Sequence, residues 1–154
     1  MPEAHANVIT GMTRTTPHQT LLGFDFGSRR IGVAVGQRIT GTASALITLT
    51  ARDGQPDWSE IEKLIATWQP DALVVGLPLA LDGSHSDTTR AAERFARRLH
   101  GRFQLPAYLH DERLSSHAAE HWTDQGSGKA APRDALDKVA AQIILQDWLD
   151  SQGD

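Results

Sequence analysis

The sequence contains no cysteine, which excludes a disulfide scaffold and any metal site built from thiolates. It also lacks long apolar runs: Ala72 to Val75 and Val139 to Leu145 are much shorter than the ~20 residues of a membrane-spanning helix. No continuous apolar signal region opens the chain, which argues against secretion. We therefore predict a cytoplasmic protein with no membrane partner, in agreement with the absence of cysteine.

Strong positive charge is absent as well, because the formal net charge is −4. The basic residues are nevertheless concentrated, since the segment from Thr88 to Arg102 carries only one acid, Glu93. Most basic residues of the chain are arginine, which can bind phosphate through two parallel hydrogen bonds. The segment is therefore a candidate for nucleic-acid binding, and a solvated helix face is the alternative. Its arginines are Arg90, Arg94, Arg97, Arg98 and Arg102.

What is present is typical of one globular domain, with 154 residues, 40% of them hydrophobic and 22% charged. Residues 1–19 show no periodicity and are predicted to form a disordered leader. We expect residues 20–150 to form a single domain. Both Met1 and Met12 remain possible translation starts.

Three short strands are predicted at the beginning of this domain. Leu21 to Phe26 alternates between two faces, one of which carries Phe24 and the other Asp25. A turn leads into a second alternating strand from Ile31 to Val35, and a third strand fits Ala43 to Leu49. Together they predict an antiparallel meander.

Helices and strands alternate in the rest of the sequence. The pattern predicts an α/β fold, in which the three-strand meander and two parallel strands form a five-stranded mixed sheet flanked by helices. The predicted elements are an amphipathic helix after Asp57, a strand from Ala72 to Leu77, the arginine-rich helix, a strand from Pro106 to His110, a helix after Ser115 or Ser116 and a final helix from about Pro132 to Leu149.

Three acidic residues border or interrupt these apolar elements: Asp25, Glu112 and Asp137. A carboxylate in such a place is costly to desolvate unless it is paired or binds a metal ion. If the three converge, their oxygen atoms suit two Mg²⁺ or Mn²⁺ ions that would act on a phosphodiester. The alternative is structural, with Asp25 in a hairpin turn and Asp137 favoured by the dipole at a helix start.

Four motifs follow one another along the chain: Gly23 to Gly27 with Arg30 to Ala34, Val75 to Pro78 with Asp82-Gly83, Asp111 to Leu114, and Asp137 with the apolar residues that follow it. In this order they resemble the YqgF family, whose members are nucleases similar to Holliday junction resolvases and are assigned to maturation of pre-16S ribosomal RNA. The resemblance extends from Leu21 to Leu149 and implies an RNase H-like fold.

The resemblance implies that Asp25, Glu112 and Asp137 are catalytic residues and ligands of two Mg²⁺ or Mn²⁺ ions. Either member of the pair Asp111 and Glu112 could face the metals. The basic residues expected to bind nucleic acid are Arg29, Arg30, Arg90, Arg94, Arg98 and Arg113.

The predicted function is that of a metal-dependent endonuclease that processes the 5′ end of precursor 16S rRNA in ribosome biogenesis. Its partner would be pre-rRNA, either free or within a pre-ribosomal particle, and the protein would be a monomer or a weak homodimer. One alternative is a resolvase of four-way DNA junctions, which would need a symmetric dimer. The other is a nucleic-acid-binding module without catalysis.

Overall fold

The computed structural model describes residues 8–9, 19–78, 82–111 and 133–152. The predicted helix after Ser115 or Ser116 lies outside these residues. The elements are β1 Val8–Ile9, β2 Thr20–Asp25, β3 Arg30–Gln37, β4 Thr42–Arg52, β5 Gln55–Pro56, α1 Trp58–Trp68, β6 Ala72–Leu77, α2 Asp87–Phe103, β7 Ala107–Asp111 and α3 Arg133–Gln152.

The strands form one mixed sheet in the order β1-β7-β6-β2-β3-β4-β5. Strands β2, β3 and β4 are the predicted antiparallel meander, and β6 pairs in parallel with both β2 and β7. The predicted mixed sheet is therefore confirmed. The structure adds a two-residue strand at each edge, and β1 belongs to the segment predicted as a leader: Val8 pairs with Tyr108.

Two separate apolar cores cover the two faces of this sheet. Side chains of β2 alternate between them, so that Leu22 and Phe24 pack under α1 and α2, whereas Leu21 packs under α3. The same alternation holds in β6, where Val75 belongs to the first core and Val74 to the second. We refer to the two sides as the α1/α2 face and the α3 face.

Local sequence signals set the ends of the helices on the α1/α2 face. Asp57 caps α1, because its carboxylate accepts a hydrogen bond from the Ser59 amide at 3.0 Å. Ser86 and Thr89 form a capping box at the start of α2. Both helices end at a glutamine in the left-handed region, Gln69 after α1 and Gln104 after α2. No helix among the described residues is long and apolar enough to cross a membrane.

Helix α3 lies across the sheet at close range, through the buried side chains of Ala141, Ile144, Leu145 and Trp148. Glycine makes the approach possible: a Cβ atom at Gly23 would lie 2.8 Å from the Cβ of Leu145. The packing fixes the start of α3 over the carboxyl end of β2, where the first predicted acid lies.

Candidate active site

Asp25 is the last residue of β2, and its half-buried side chain lies on the α3 face. Gly23, two residues earlier, faces Leu145 of α3, and side chains two residues apart in a strand share a face. Asp25 pairs directly with Gly32 of β3. The Cα atoms of such a pair lie roughly 4.5–5.5 Å apart.

Asp137 reaches the same point from α3. A methyl group at Gly32 would overlap the main-chain carbonyl of Asp137, so the helix passes directly over this glycine. Because Asp25 is the strand partner of Gly32, the two acids are neighbours on one face of the sheet. The structure thus brings together two of the three predicted acidic residues.

Arg30 contributes a positive charge to this site. Its Nε donates a hydrogen bond to Oδ2 of Asp137 at 2.8 Å, and 34% of the Arg30 side chain and 26% of the Asp137 side chain are exposed. An ion pair with this exposure contributes little stability, typically ~0.2–1 kcal/mol. Its main effect is positional, because it fixes the direction of the Asp137 carboxylate.

Asp111 does not share the face of these acids. In β7, Tyr108 packs against Trp148 of α3 with ring centroids 5.1 Å apart, whereas Leu109 packs into the α1/α2 core. Asp111 has the parity of Leu109 and is therefore directed to the α1/α2 face. The other member of the pair, Glu112, lies outside the described residues.

His110 is a further polar residue on the α3 face, and sequence reasoning did not single it out. Its Nε2 lies 3.9 Å from Oδ2 of Asp147, and only 11% of its side chain is exposed. Among the described residues this nitrogen has no hydrogen-bond partner. Burial lowers the pKa of His110, against the opposing charges of Asp147 and Asp111. Its position two residues after Tyr108 in the strand alternation was the available signal.

The other predicted phosphate-binding arginines lie in two different places. Arg29 is exposed in the β2–β3 turn beside the acid site, and its carbonyl accepts a hydrogen bond from the Ala51 amide at 2.8 Å. Arg90, Arg94 and Arg98 are exposed on α2, on the far side of the sheet from Asp25. Arg113 lies outside the described residues.

The donor atoms at the site suit a hard divalent cation. Asp25 and Asp137 offer carboxylate oxygens only, which Mg²⁺ and Mn²⁺ prefer over the nitrogen and sulfur ligands typical of zinc. Within residues 8–9, 19–78, 82–111 and 133–152, no group of three or more histidine or acidic side chains could hold a metal ion. The third predicted ligand, Glu112, is not among those residues.

Comparison with known proteins places this geometry in a family. The sequence model of the RuvX family, described as Holliday junction resolvase, matches residues 19–151. A Pseudomonas putida protein named "Putative pre-16S rRNA nuclease" is 54% identical over 133 residues, which cover 85% of this chain and 94% of that protein. An Azotobacter vinelandii protein of the same name is 54% identical over 130 residues, 84% of this chain and 92% of that protein.

A solved structure supports the fold. Thermus thermophilus RuvC in complex with a Holliday junction substrate superposes with a TM-score of 0.56 at 15% identity, covering 88% of this chain and 96% of that chain. At this identity the likeness concerns the fold alone, and it agrees with the RNase H-like fold that the motifs implied. The family match and the two close relatives go further: the chain belongs to the RuvX family, which is the YqgF family predicted from its motifs.

Proposed function

We propose that this chain is a metal-dependent endonuclease whose catalytic acids are Asp25, Asp137 and Glu112. The observation that carries the proposal is the meeting of Asp25 and Asp137 over Gly32, which unites two acids that are far apart in the sequence. A nuclease of this kind needs closely spaced carboxylates on a rigid support. Here one lies on a central strand and the other on a helix packed against it.

The third acid is proposed from the sequence pattern. Asp111 is directed to the α1/α2 face, and a residue that follows in an extended strand has the opposite parity. On that pattern Glu112, and not Asp111, is the member of the pair that belongs with Asp25. The family motif includes both residues of the pair, so the choice between them rests on this strand parity.

The acids and the two arginines have different roles in the proposed reaction. Asp25, Asp137 and Glu112 would hold one or two Mg²⁺ or Mn²⁺ ions, which activate water and stabilise the departing oxygen of a phosphodiester. Arg30 acts through Asp137, because its Nε–H holds one carboxylate oxygen in place. Arg29, exposed in the adjacent turn, would bind a phosphate of the substrate.

Precursor 16S rRNA is the proposed substrate, cut near its 5′ end in the cytoplasm, either as free RNA or within a pre-ribosomal particle. The names of the close relatives from Pseudomonas putida and Azotobacter vinelandii support this choice. Four-way DNA junctions are the second candidate, favoured by the family description and by the fold shared with Thermus thermophilus RuvC. A junction resolvase would act as a symmetric dimer, whereas RNA processing requires only a monomer or weak homodimer.

The proposal is tested by cleavage of a precursor 16S rRNA fragment and of junction DNA in Mg²⁺ or Mn²⁺. We expect Asp25→Asn and Asp137→Asn to lower the cleavage rate at least ~100-fold, since even groups that only support metal ligands contribute ~10–100-fold. Chelation of divalent ions should abolish cleavage by the wild type.

Asp150→Asn is the matched control, because Asp150 is an exposed acid on the same helix as Asp137. It should cut like the wild type. If Asp25→Asn and Asp137→Asn also cut at the wild-type rate, the proposed acids are not catalytic. Cleavage of the junction but not of the RNA would select the second substrate.

A further inference from the structure

Helix α2 presents a row of arginines to solvent. Its buried residues, Thr89, Ala92, Phe95, Ala96 and Leu99, form one side of the helix. The opposite side carries exposed arginines spaced i, i+4, i+7 and i+8, which places them on one helical face. We call this set the arginine stripe: Arg90, Arg94, Arg97 and Arg98.

Most of the charge of the stripe has no ion-pair partner among the described residues. Arg90 pairs with Asp87 at 3.1 Å, whereas no described acidic side chain forms an ion pair with Arg94, Arg97 or Arg98. Glu93, the one acid within this segment, lies 3.6 Å from His85. A chain with net charge −4 thus concentrates positive charge on one helix, which creates a local potential that attracts polyanions.

The stripe lies on the other side of the sheet from the acids. Helix α2 packs on the α1/α2 face, whereas Asp25 and Asp137 lie on the α3 face. The arginines also point away from the sheet, so the helix diameter of about 10–12 Å adds to the sheet thickness between the two sites. One phosphate at the acid site could not touch the stripe.

The two sites are nevertheless close to the same end of the sheet, where the parallel strands β2 and β6 have their carboxyl ends. The Thr89 hydroxyl donates a hydrogen bond to the carbonyl of Pro78, just beyond the carboxyl end of β6. Arg90, the next residue, therefore lies at the same end of the sheet as Asp25, because Asp25 is the last residue of β2 and β2 runs parallel to β6. From there the stripe runs roughly 12 Å to Arg98, at 1.5 Å per helical residue.

We propose that the arginine stripe binds the phosphate backbone of a substrate segment that is not the one cleaved. The proposal rests on the proposed nuclease function and adds a second contact to it. A long nucleic acid would pass from the acids, past the carboxyl ends of the parallel strands, onto α2. The described surface favours nucleic acid over a protein partner, because the centre of a protein interface is usually apolar. The exposed large hydrophobic side chains of the described residues, Ile39, Ile47 and Trp68, all lie outside α2.

The test compares two charge-matched double variants of the full chain. Arg94→Gln/Arg97→Gln removes two charges from the stripe, and Arg38→Gln/Lys63→Gln removes two charges outside α2. Binding to a long pre-rRNA fragment is measured with chelator present, as a function of salt concentration. Log affinity falls with log salt, and each lost phosphate contact makes this negative slope less steep by about 0.7–0.9. The slope of the stripe variant should therefore be less steep by about 1.5, and the slope of the control variant should not change.

Cleavage supplies the second readout. For the long fragment, the stripe variant should show a KM raised roughly tenfold with unchanged kcat, because only flanking phosphate contacts are lost. For an oligonucleotide of a few nucleotides around the cleavage site, the stripe variant should match the control variant. This contrast separates flanking binding from damage to the fold.

Three results would overturn the proposal. An unchanged salt slope would mean that the stripe is a solvated surface. Equal losses on the long fragment and on the short oligonucleotide would place the stripe within the catalytic site or in the folding of the chain. Normal RNA binding combined with lost association with ribosomal proteins would assign the stripe to a protein partner. The binding measurement needs no cleavage, so it decides the stripe even where the acid variants contradict the nuclease function.

Discussion

The two faces of the sheet differ in how closely their helices approach the strands. On the α1/α2 face, the ring of Phe95 contacts those of Phe24, Phe26 and Trp58, with centroids between 5.0 and 5.8 Å apart. On the α3 face, glycines of β2 and β3 lie beneath the helix, and Gly32 leaves no space for a methyl group under Asp137. Large rings keep α2 at a distance from the strands, whereas glycine lets the backbone of α3 approach them.

This difference assigns different roles to the two faces, because one mainly stabilises the domain and the other carries the acids of the site. Aromatic pairs contribute ~0.5–1.5 kcal/mol each beyond the area they bury, so the α1/α2 face is suited to holding the domain together. On the α3 face the backbone of Asp137 passes over Gly32, the strand partner of Asp25, and only a close backbone approach allows this. The charged side chains follow the same division: Arg30 serves an acid on the α3 face, and the arginine stripe faces solvent beyond α2.

The largest expected effect comes from replacing a glycine by alanine on each face and comparing the two variants. Gly32→Ala places a methyl group against the backbone of Asp137, and we expect a loss of ~1–3 kcal/mol in the free energy of unfolding together with most of the cleavage activity. Gly101→Ala on α2 meets no atom within 4 Å and should stabilise the protein by up to ~1 kcal/mol. Urea denaturation and cleavage of a short oligonucleotide measure both outcomes. Wild-type stability and activity in Gly32→Ala would show that α3 does not depend on this contact.

A smaller effect is expected from a pair of arginines, one on each face. Arg30 holds the Asp137 carboxylate, and the guanidinium of Arg102 lies 4.2 Å from the ring centroid of Trp58. Each contact is partly exposed, so Arg30→Gln and Arg102→Gln should each cost no more than about 1 kcal/mol of stability.

Their cleavage rates should differ. Removing the group that orients a metal ligand typically costs ~10–100-fold, so Arg30→Gln should cut a short oligonucleotide at least ~10-fold more slowly. Arg102→Gln should cut it at the wild-type rate, and Arg30→Lys, which keeps the charge, should recover part of the loss. Equal rates for Arg30→Gln and Arg102→Gln would remove the positioning role of Arg30.

Most of the sheet could be predicted from the sequence, because alternation reports which residues share a face. Alternation locates the strand that carries Phe24 and Asp25, whereas a continuous apolar run, typical of a strand covered on both faces, locates the strand from Ala72 to Leu77. The edge strands Val8–Ile9 and Gln55–Pro56 are too short to show a period, and their pairing depends on the strand beside them.

The site was harder to predict than the sheet. Periodicity assigns Asp137 to a helix and Asp25 to a strand face, but it does not determine where the helix crosses the sheet. That crossing is set by Gly32 and by the ion pair of Arg30 with Asp137, residues separated by 107 positions in the chain. Only the resemblance to a family united the acids beforehand. The sequence pattern of α2 likewise predicts a helix rich in arginine, but it does not determine which face of the sheet that helix covers.

The smallest expected effect concerns Asp57, which caps α1 at the surface of the α1/α2 face. Hydrogen bonds from the Ser59 hydroxyl and amide lower the pKa of Asp57 below its ordinary value of 3.8. Its stabilising contribution is therefore complete above pH 3.8 and is lost as the pH falls through the lower pKa of the folded state. Asp57→Ala should unfold at slightly lower urea concentration than the wild type at pH 7, and the difference should shrink in acid.

Asp57→Asn separates the cap from its charge, because asparagine caps helices about as well as aspartate and does not titrate. At pH 7 it should resemble the wild type, and below pH 3.8 it should lose less stability than the wild type does. Both variants should cleave a short oligonucleotide normally at pH 7, since α1 and the acids lie on opposite faces of the sheet. A cleavage defect in Asp57→Ala would contradict that separation, because it would mean that the end of α1 communicates with Asp25 through the sheet.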